Sequence, residues 1–160
     1  MDQKFVSGLG NIYVNEILFF SGVKPSRKAK NINDSEIIKI VKKEGSNVVW
    51  ACDPMHGNTI KSNTGYKTRP LTNIFSEIQK FFQIHKSIGT YPGGVHLEMT
   101  GQDVTECMGG LQEITDEDLK NRYHTFCDPR LNASQSLELA FLISDFLKDE
   151  NFLSSKSSNS

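Results

Sequence analysis

No stretch of this 160-residue sequence approaches the ~20 consecutive apolar residues that a membrane helix needs. The N-terminus, MDQKFVSG, lacks the basic start and apolar run of a secretory leader, so a cytoplasmic address is expected. Cysteine is scarce. Cys52, Cys107 and Cys127 are an odd number with no CxxC pair, which argues against a disulfide scaffold and a cysteine-rich zinc site. Three reduced, mostly buried thiols are expected instead. An excess of either charge is also missing. Lys and Arg number 18 against 19 Asp and Glu, and a formal charge of −1 creates no global positive field toward nucleic acid or membrane. Internal repeats are absent. What remains is a globular composition, 37% hydrophobic and 23% charged, in a chain long enough for one domain with a core.

Gly8 and Gly10 break the N-terminal stretch into two short helices, 2–8 and 11–21, and Gly22 suits a C-terminal cap. A basic linker, KPSRKAKNIND, leads to a helix capped by Asp34 or Ser35. It runs to about Lys43 with Ile37, Ile38, Ile40 and Val41 on its apolar side. Val48, Val49, Trp50 and Ala51 form the continuous apolar run of a strand buried on both faces. From Leu71 to about His85, Ile74, Phe75, Ile78, Phe81 and Phe82 fall at helical spacing. Gly94–Met99 reads as a second strand and Tyr123–Cys127 as a third, with a short helical turn near Thr115–Leu119 between them. Asn132 and Gln135 resemble a capping box that opens a helix to about Lys148. The polar tail Ser154–Ser160 reads as a frayed end. Parallel strands joined by crossover helices imply an α/β sheet or a barrel segment. A whole eightfold barrel needs ~250 residues, so this chain would hold about three of its strands.

On that frame, His56 follows the first strand, Glu98 ends the second and Asp128 lies just past the third. Parallel strands would bring all three to one rim, where barrel enzymes keep their chemistry. An imidazole with two carboxylates suits a divalent metal such as Mn²⁺, Fe²⁺ or Co²⁺. Singly, each residue has an ordinary role as a hydrogen-bonded loop residue or cap. Their coincidence at successive strand ends puts a metal site on equal terms with those roles. Asp53 competes as a ligand, although Pro54 suggests that it sets the turn. His96 and His124 sit within strands and face the core or the barrel interior. Lys61, Lys67 and Arg69 cluster on the loop TIKSNTGYKTRP, which either holds a phosphate or is a solvated basic loop. Arg130 and Asn132 sit beside Asp128 and could orient it or reach a substrate.

The motifs VVWACDPMHGNTIK, TGYKTRP, GGVHLEMTGQDVTEC and RYHTFCDPRLNASQSLELAFLI closely resemble the C-terminal portion of class II 3-deoxy-7-phosphoheptulonate (DAHP) synthases, over about residues 40–150. The resemblance implies a metal-dependent (β/α)₈ barrel that condenses phosphoenolpyruvate with erythrose 4-phosphate. This is the first step of the shikimate pathway to aromatic amino acids. It assigns His56, Glu98 and Asp128 as ligands, with Mn²⁺ the expected ion. Its substrates carry phosphates, for which the basic residues Lys61, Lys67, Arg69 and Arg130 are the candidate contacts. A homo-oligomer is left open. In that family an early strand supplies a cysteine as fourth ligand and earlier segments supply most phosphoenolpyruvate contacts. Neither motif occurs here, so the chain by itself is expected to be inactive.

The first stretch, DQKFVSGLGNIYVNEILFFSGVKPSRKA, is similar instead to the helix-two-turn-helix of formamidopyrimidine-DNA glycosylases. That resemblance implies a phosphate grip on DNA through the GLGN turn and Asn11, with Lys24, Arg27, Lys28 and Lys30 adding nonspecific attraction. The proline nucleophile and the zinc finger of that family are absent, so base excision is not expected. The expected division is a helix-two-turn-helix-like segment at 1–33, a partial barrel at 34–150 and a disordered tail at 151–160. The helix at 34–44 suits either resemblance.

Overall fold

The structure is a computed structural model that describes residues 33–148. The expected helices at 2–8 and 11–21, Asn11 with the rest of the DNA-contacting stretch, and the tail at 151–160 lie outside the described residues.

Helix α1 spans Asp34–Lys43. Its cap is Asn33 rather than Asp34 or Ser35, because Asn33 is the last residue in extended backbone and its Oδ1 accepts from the Glu36 amide at 2.8 Å. Asp34 and Glu36 in the first turn and Lys42 and Lys43 in the last complement the helix dipole.

Strand β1 (Trp50–Cys52) pairs in parallel with β4 (Pro92–Val95), and helix α2 (Leu71–Ile88) makes the crossover between them. The register slips between Trp50 and Ala51, leaving Gly93 opposite the irregularity. A Cβ at Gly93 would lie 2.6 Å from Val49 Cγ1 and 2.9 Å from the Trp50 carbonyl, so the close approach requires glycine there. The apolar run is not buried on both faces as expected. Val48 and Val49 precede the strand, and Val49 is 86% exposed. Among the described residues this sheet is only two strands wide, which leaves that flank uncovered.

Helix α2 carries the core. Leu71, Ile74, Ile78 and Phe82 are buried with Met55, Cys107, Leu131 and Leu139. Each such side chain contributes roughly 1.5–3 kcal/mol on leaving water. The helix stops at Gly89, whose φ of 67° is the left-handed conformation. The Gly89 and Thr90 amides then close the last turn on Lys86 and His85 carbonyls at 3.3 and 3.0 Å. Lys42 Nζ donates to the Ile88 and Gly89 carbonyls, tying α1 to the same end.

Helix α3 (Ala133–Lys148) begins with the expected capping box. Asn132 Oδ1 accepts from the Gln135 amide at 2.9 Å, and Gln135 Oε1 accepts from the Asn132 amide at 3.2 Å. Phe146 stacks on Phe82 at 5.2 Å, packing α3 on α2.

The loop after His56 contains a short antiparallel hairpin, β2 (Ile60–Lys61) with β3 (Lys67–Thr68). The third strand at Tyr123–Cys127 does not form. The Thr125 hydroxyl accepts from the Cys127 amide at 3.2 Å and donates to the Asp128 carbonyl at 2.8 Å, turning the chain where a ladder would run. A parallel bridge forms later, Met99 with Leu131, through Leu131 N to Glu98 O at 3.0 Å and Thr100 N to Leu131 O at 2.9 Å. The architecture is thus mixed α/β, with parallel strands and packed helices. Among the described residues no helix is long and apolar enough to cross a membrane.

Candidate metal centre

The turn after β1 is built to eject a histidine. Asp53 Oδ1 accepts from the Met55 and His56 amides at 3.0 and 3.2 Å, and Met55 is fully buried beneath it. Asp53 therefore sets the turn, as its neighbour Pro54 suggested. Its other oxygen takes the imidazole as well, with Oδ2 2.6 Å from His56 Nδ1. Burial pushes the Asp53 carboxyl up, but the hydrogen bonds from the His56 ring and from the His56 and Met55 amides outweigh it. The carboxyl lies below its usual range. With Nδ1 committed, Nε2 is the free nitrogen, and it lies 3.4 Å from Glu98 Oε1.

Glu98 follows β4 and is positioned by the bridge at Leu131. Its Oε2 accepts from the Arg69 guanidinium. Asp128 comes from the turn that Thr125 organises, and Lys67 Nζ donates to its Oδ1 at 3.1 Å. That hydrogen bond and the Lys67 charge, with smaller contributions from Arg69 and His56, hold the Asp128 carboxyl below its usual range.

His56, Glu98 and Asp128 each offer a donor atom, all within 4.8 Å of one another. Two ligands each about 2.1 Å from one ion stand at most ~4.2 Å apart, so small side-chain movements would close this set around a divalent cation. One imidazole and two carboxylates fit the nitrogen and oxygen preferences of such an ion. Asp53, His56 and His96 form a second group by the same distance measure. There Asp53 is hydrogen-bonded to His56 Nδ1 and orients the imidazole. His96 and His124 do not turn into a core as expected. Both are exposed, and His96 stacks on the His56 ring at 5.9 Å.

The cations divide sharply. Lys61 is exposed on β2, directly opposite Lys67 on β3. Arg69 departs from the expectation of an open phosphate contact. It has no exposed surface, and its guanidinium is turned inward onto Thr59, Glu98 and the Pro129 carbonyl. Arg130 departs too. Glu106 holds it through Nε at 3.0 Å and Nη2 at 2.7 Å. Asn132 orients no ligand, because its side chain caps α3 and donates to the Val104 carbonyl. Glu106, the fully buried partner of Arg130, was missed in the sequence. Its partners lie 24 and 18 residues away, beyond any local pattern. Cys52 and Cys107 are buried as expected, and burial pushes both thiols up to about 12. Cys127 is exposed instead.

Residues 27–144 match the class-II DAHP synthetase family. The match takes in α1, which the sequence left to either resemblance. Over 113 residues, 71% of this chain, the sequence is 58% identical to phospho-2-dehydro-3-deoxyheptonate aldolase AroG of Mycolicibacterium smegmatis. Over 115 residues, 72% of this chain, it is 52% identical to phospho-2-dehydro-3-deoxyheptonate aldolase of Streptomyces coelicolor. The matched part is 24% and 26% of those two proteins, so the chain spans about a quarter of the length of the curated relatives it matches. With a family match that covers most of its length, the chain belongs to the class-II DAHP synthetase family.

Proposed function

We propose that this chain carries the metal-ligand rim of a 3-deoxy-7-phosphoheptulonate synthase, part of a (β/α)₈ barrel that condenses phosphoenolpyruvate with erythrose 4-phosphate. The convergence of His56, Glu98 and Asp128 within 4.8 Å is the observation that carries this reading. Mn²⁺ is the ion proposed, with Co²⁺ and Fe²⁺ as alternatives of the same ligand preference.

A divalent ion held there supplies Lewis acidity for polarising the aldehyde of erythrose 4-phosphate. The residues of this chain do the rest. Asp53 fixes the His56 tautomer and aims Nε2 inward. Arg69 takes one oxygen of Glu98 and leaves the other toward His56. Lys61 and Lys67 face each other across the hairpin, so their side chains share one face. Like charges so placed repel, and an anion between them relieves that repulsion. This exposed pair, rather than the inward-turned Arg69 or Arg130, is the proposed contact for a substrate phosphate, with Lys67 shared between that anion and Asp128. Cys52 and Cys107 are buried and belong to neither donor group, so packing is their proposed role.

The test is Mn²⁺ binding by the 160-residue chain and by its His56→Ala, Glu98→Gln and Asp128→Asn variants. Loss of binding in each is expected. Binding equal to that of the unaltered chain in all three would sink the reading. The chain alone is expected to release no phosphate from both substrates with Mn²⁺, since it spans about a quarter of the length of the relatives it matches, so metal binding is the deciding readout.

A further inference from the structure

We propose that Arg69 is the positioning residue of the metal centre, a single buried guanidinium that joins the three segments bearing His56, Glu98 and Asp128. The proposal rests on the metal-centre reading above. Arg69 sits at the junction of β3 and α2 and is fully buried. Its Nε donates to Thr59 Oγ1 at 2.8 Å, three residues after His56. Its Nη1 donates to Glu98 Oε2 and also to the carbonyl of Pro129, the residue after Asp128. One side chain thus touches all three ligand-bearing segments.

Burying a guanidinium is costly, and a well-packed apolar side chain of similar volume commonly gives equal or greater stability. Stability alone therefore does not account for an arginine here. Direction does. Oε2 of Glu98 is occupied by Arg69, so Oε1 is the oxygen presented to His56 Nε2, 3.4 Å away. The planar guanidinium reaches three acceptors at fixed angles, which a lysine ammonium on a flexible stem does not do. The remaining nitrogen, Nη2, is buried and has no partner among the described residues.

The experiment compares Arg69→Gln, Arg69→Lys and His56→Ala in the 160-residue chain, reading bound Mn²⁺ by electron paramagnetic resonance. That signal reports affinity and ligand symmetry whatever the association state. Partners that orient metal ligands typically contribute 10–100-fold to affinity. We expect Arg69→Gln to weaken Mn²⁺ binding by about that factor and to change the line shape of the ion that still binds. Arg69→Lys should restore part of the affinity but not the line shape. His56→Ala should abolish binding. Folded Arg69 variants with unaltered affinity and line shape, beside a His56→Ala chain that fails to bind, would overturn the positioning role alone. Unaltered binding in His56→Ala would overturn the metal centre itself. Should neither Arg69 variant fold, Thr59→Val decides, because it removes the hydroxyl that anchors Nε and otherwise only a long 3.4 Å bond from that hydroxyl to the Met55 carbonyl. A several-fold loss with altered line shape supports the role, and an unaltered signal overturns it.

Discussion

The Asp53 carboxylate grips His56 from the side opposite Glu98. Oδ2 lies 2.6 Å from Nδ1, while Nε2 lies 3.4 Å from Glu98 Oε1. An imidazole held this way keeps one tautomer and one direction before any ion arrives. Asp53→Asn retains an acceptor for the Met55 and His56 amides but loses the charge that favours Nδ1–H. Mn²⁺ affinity should fall roughly 10–100-fold in a chain that stays folded. Calorimetric titration checks this, and an affinity within twofold of the unaltered chain would rule it out.

A second carboxylate works for the fold rather than the site. Glu106 has no exposed surface, and it accepts from the Arg130 side chain, the Arg130 amide at 2.8 Å and the His124 amide at 3.1 Å. It therefore pins the irregular segment around Asp128 to the core. Removing one partner of a buried pair costs ~3–5 kcal/mol, and the half-exposed Arg130 places Glu106→Gln near the lower end. Urea unfolding of Glu106→Gln, Arg130→Met and the double variant tests this. The double variant should be less destabilised than the sum of the singles, since it leaves no charge unpaired. Strict additivity would show that the pair is not coupled.

The same residue predicts an acid limit. Burial pushes the Glu106 carboxyl up, but its hydrogen bonds to Arg130 and the Arg130 charge hold it below the ordinary 4.5. A carboxyl whose folded value is depressed contributes stability that is present above its unfolded value and lost as pH falls through the folded one. Stability should therefore be level from neutral pH to about 4.5 as far as Glu106 is concerned, and fall below it. In Glu106→Gln that part of the acid slope should disappear. An equal slope in both chains would contradict the assignment.

What the sequence revealed follows from distance along the chain. The helix at 71–88 and the Asn132–Gln135 box were legible because their determinants lie within a few residues of one another. His56, Glu98 and Asp128 were picked out because each was expected to follow a strand. The strand before Asp128 does not form, yet the three donor atoms still lie within 4.8 Å of one another. Arg69 and Arg130 turn inward where open cations were expected, since a basic residue in a loop looks solvated until its carboxylate partner is known. Those carboxylates, Glu98 and Glu106, lie 29 and 24 residues away. The strand expected at Tyr123–Cys127 failed for a local reason that composition hides. One threonine hydroxyl took two backbone bonds and turned the chain.

The cysteines divide by access. Cys52 and Cys107 are buried with thiols pushed up to about 12, while Cys127 is exposed. Thiolate is the reactive form, so Ellman's reagent at pH 8 should label one cysteine in the native chain and three in denaturant. Cys127→Ser should abolish the native reaction. Native labelling of two or three thiols would contradict the burial of Cys52 and Cys107.

The outer face of α3 makes the last prediction. Leu137 and Phe141 are 60% and 68% exposed and stand four residues apart, so they form one apolar ridge on the helix. The same helix lines an open groove with Leu97, Met99, Ile143 and Leu147. Val49 adds a further apolar side chain at the flank of a sheet that is two strands wide among the described residues, where backbone groups stand ready to pair with another chain. Leaving a large apolar side chain in water forgoes roughly 1.5–3 kcal/mol, and several of these rival the ~5–15 kcal/mol net stability of a domain. The 160-residue chain should therefore self-associate when purified alone. Light scattering coupled to gel filtration at tens of micromolar, on the order of typical working concentrations, should give a mass well above the 18.0 kDa monomer. Leu137→Lys with Phe141→Lys places charge on the ridge without touching the buried Leu139, and the mass should fall toward that of the monomer. A monodisperse monomer of the unaltered chain would show that this ridge is satisfied within the chain itself.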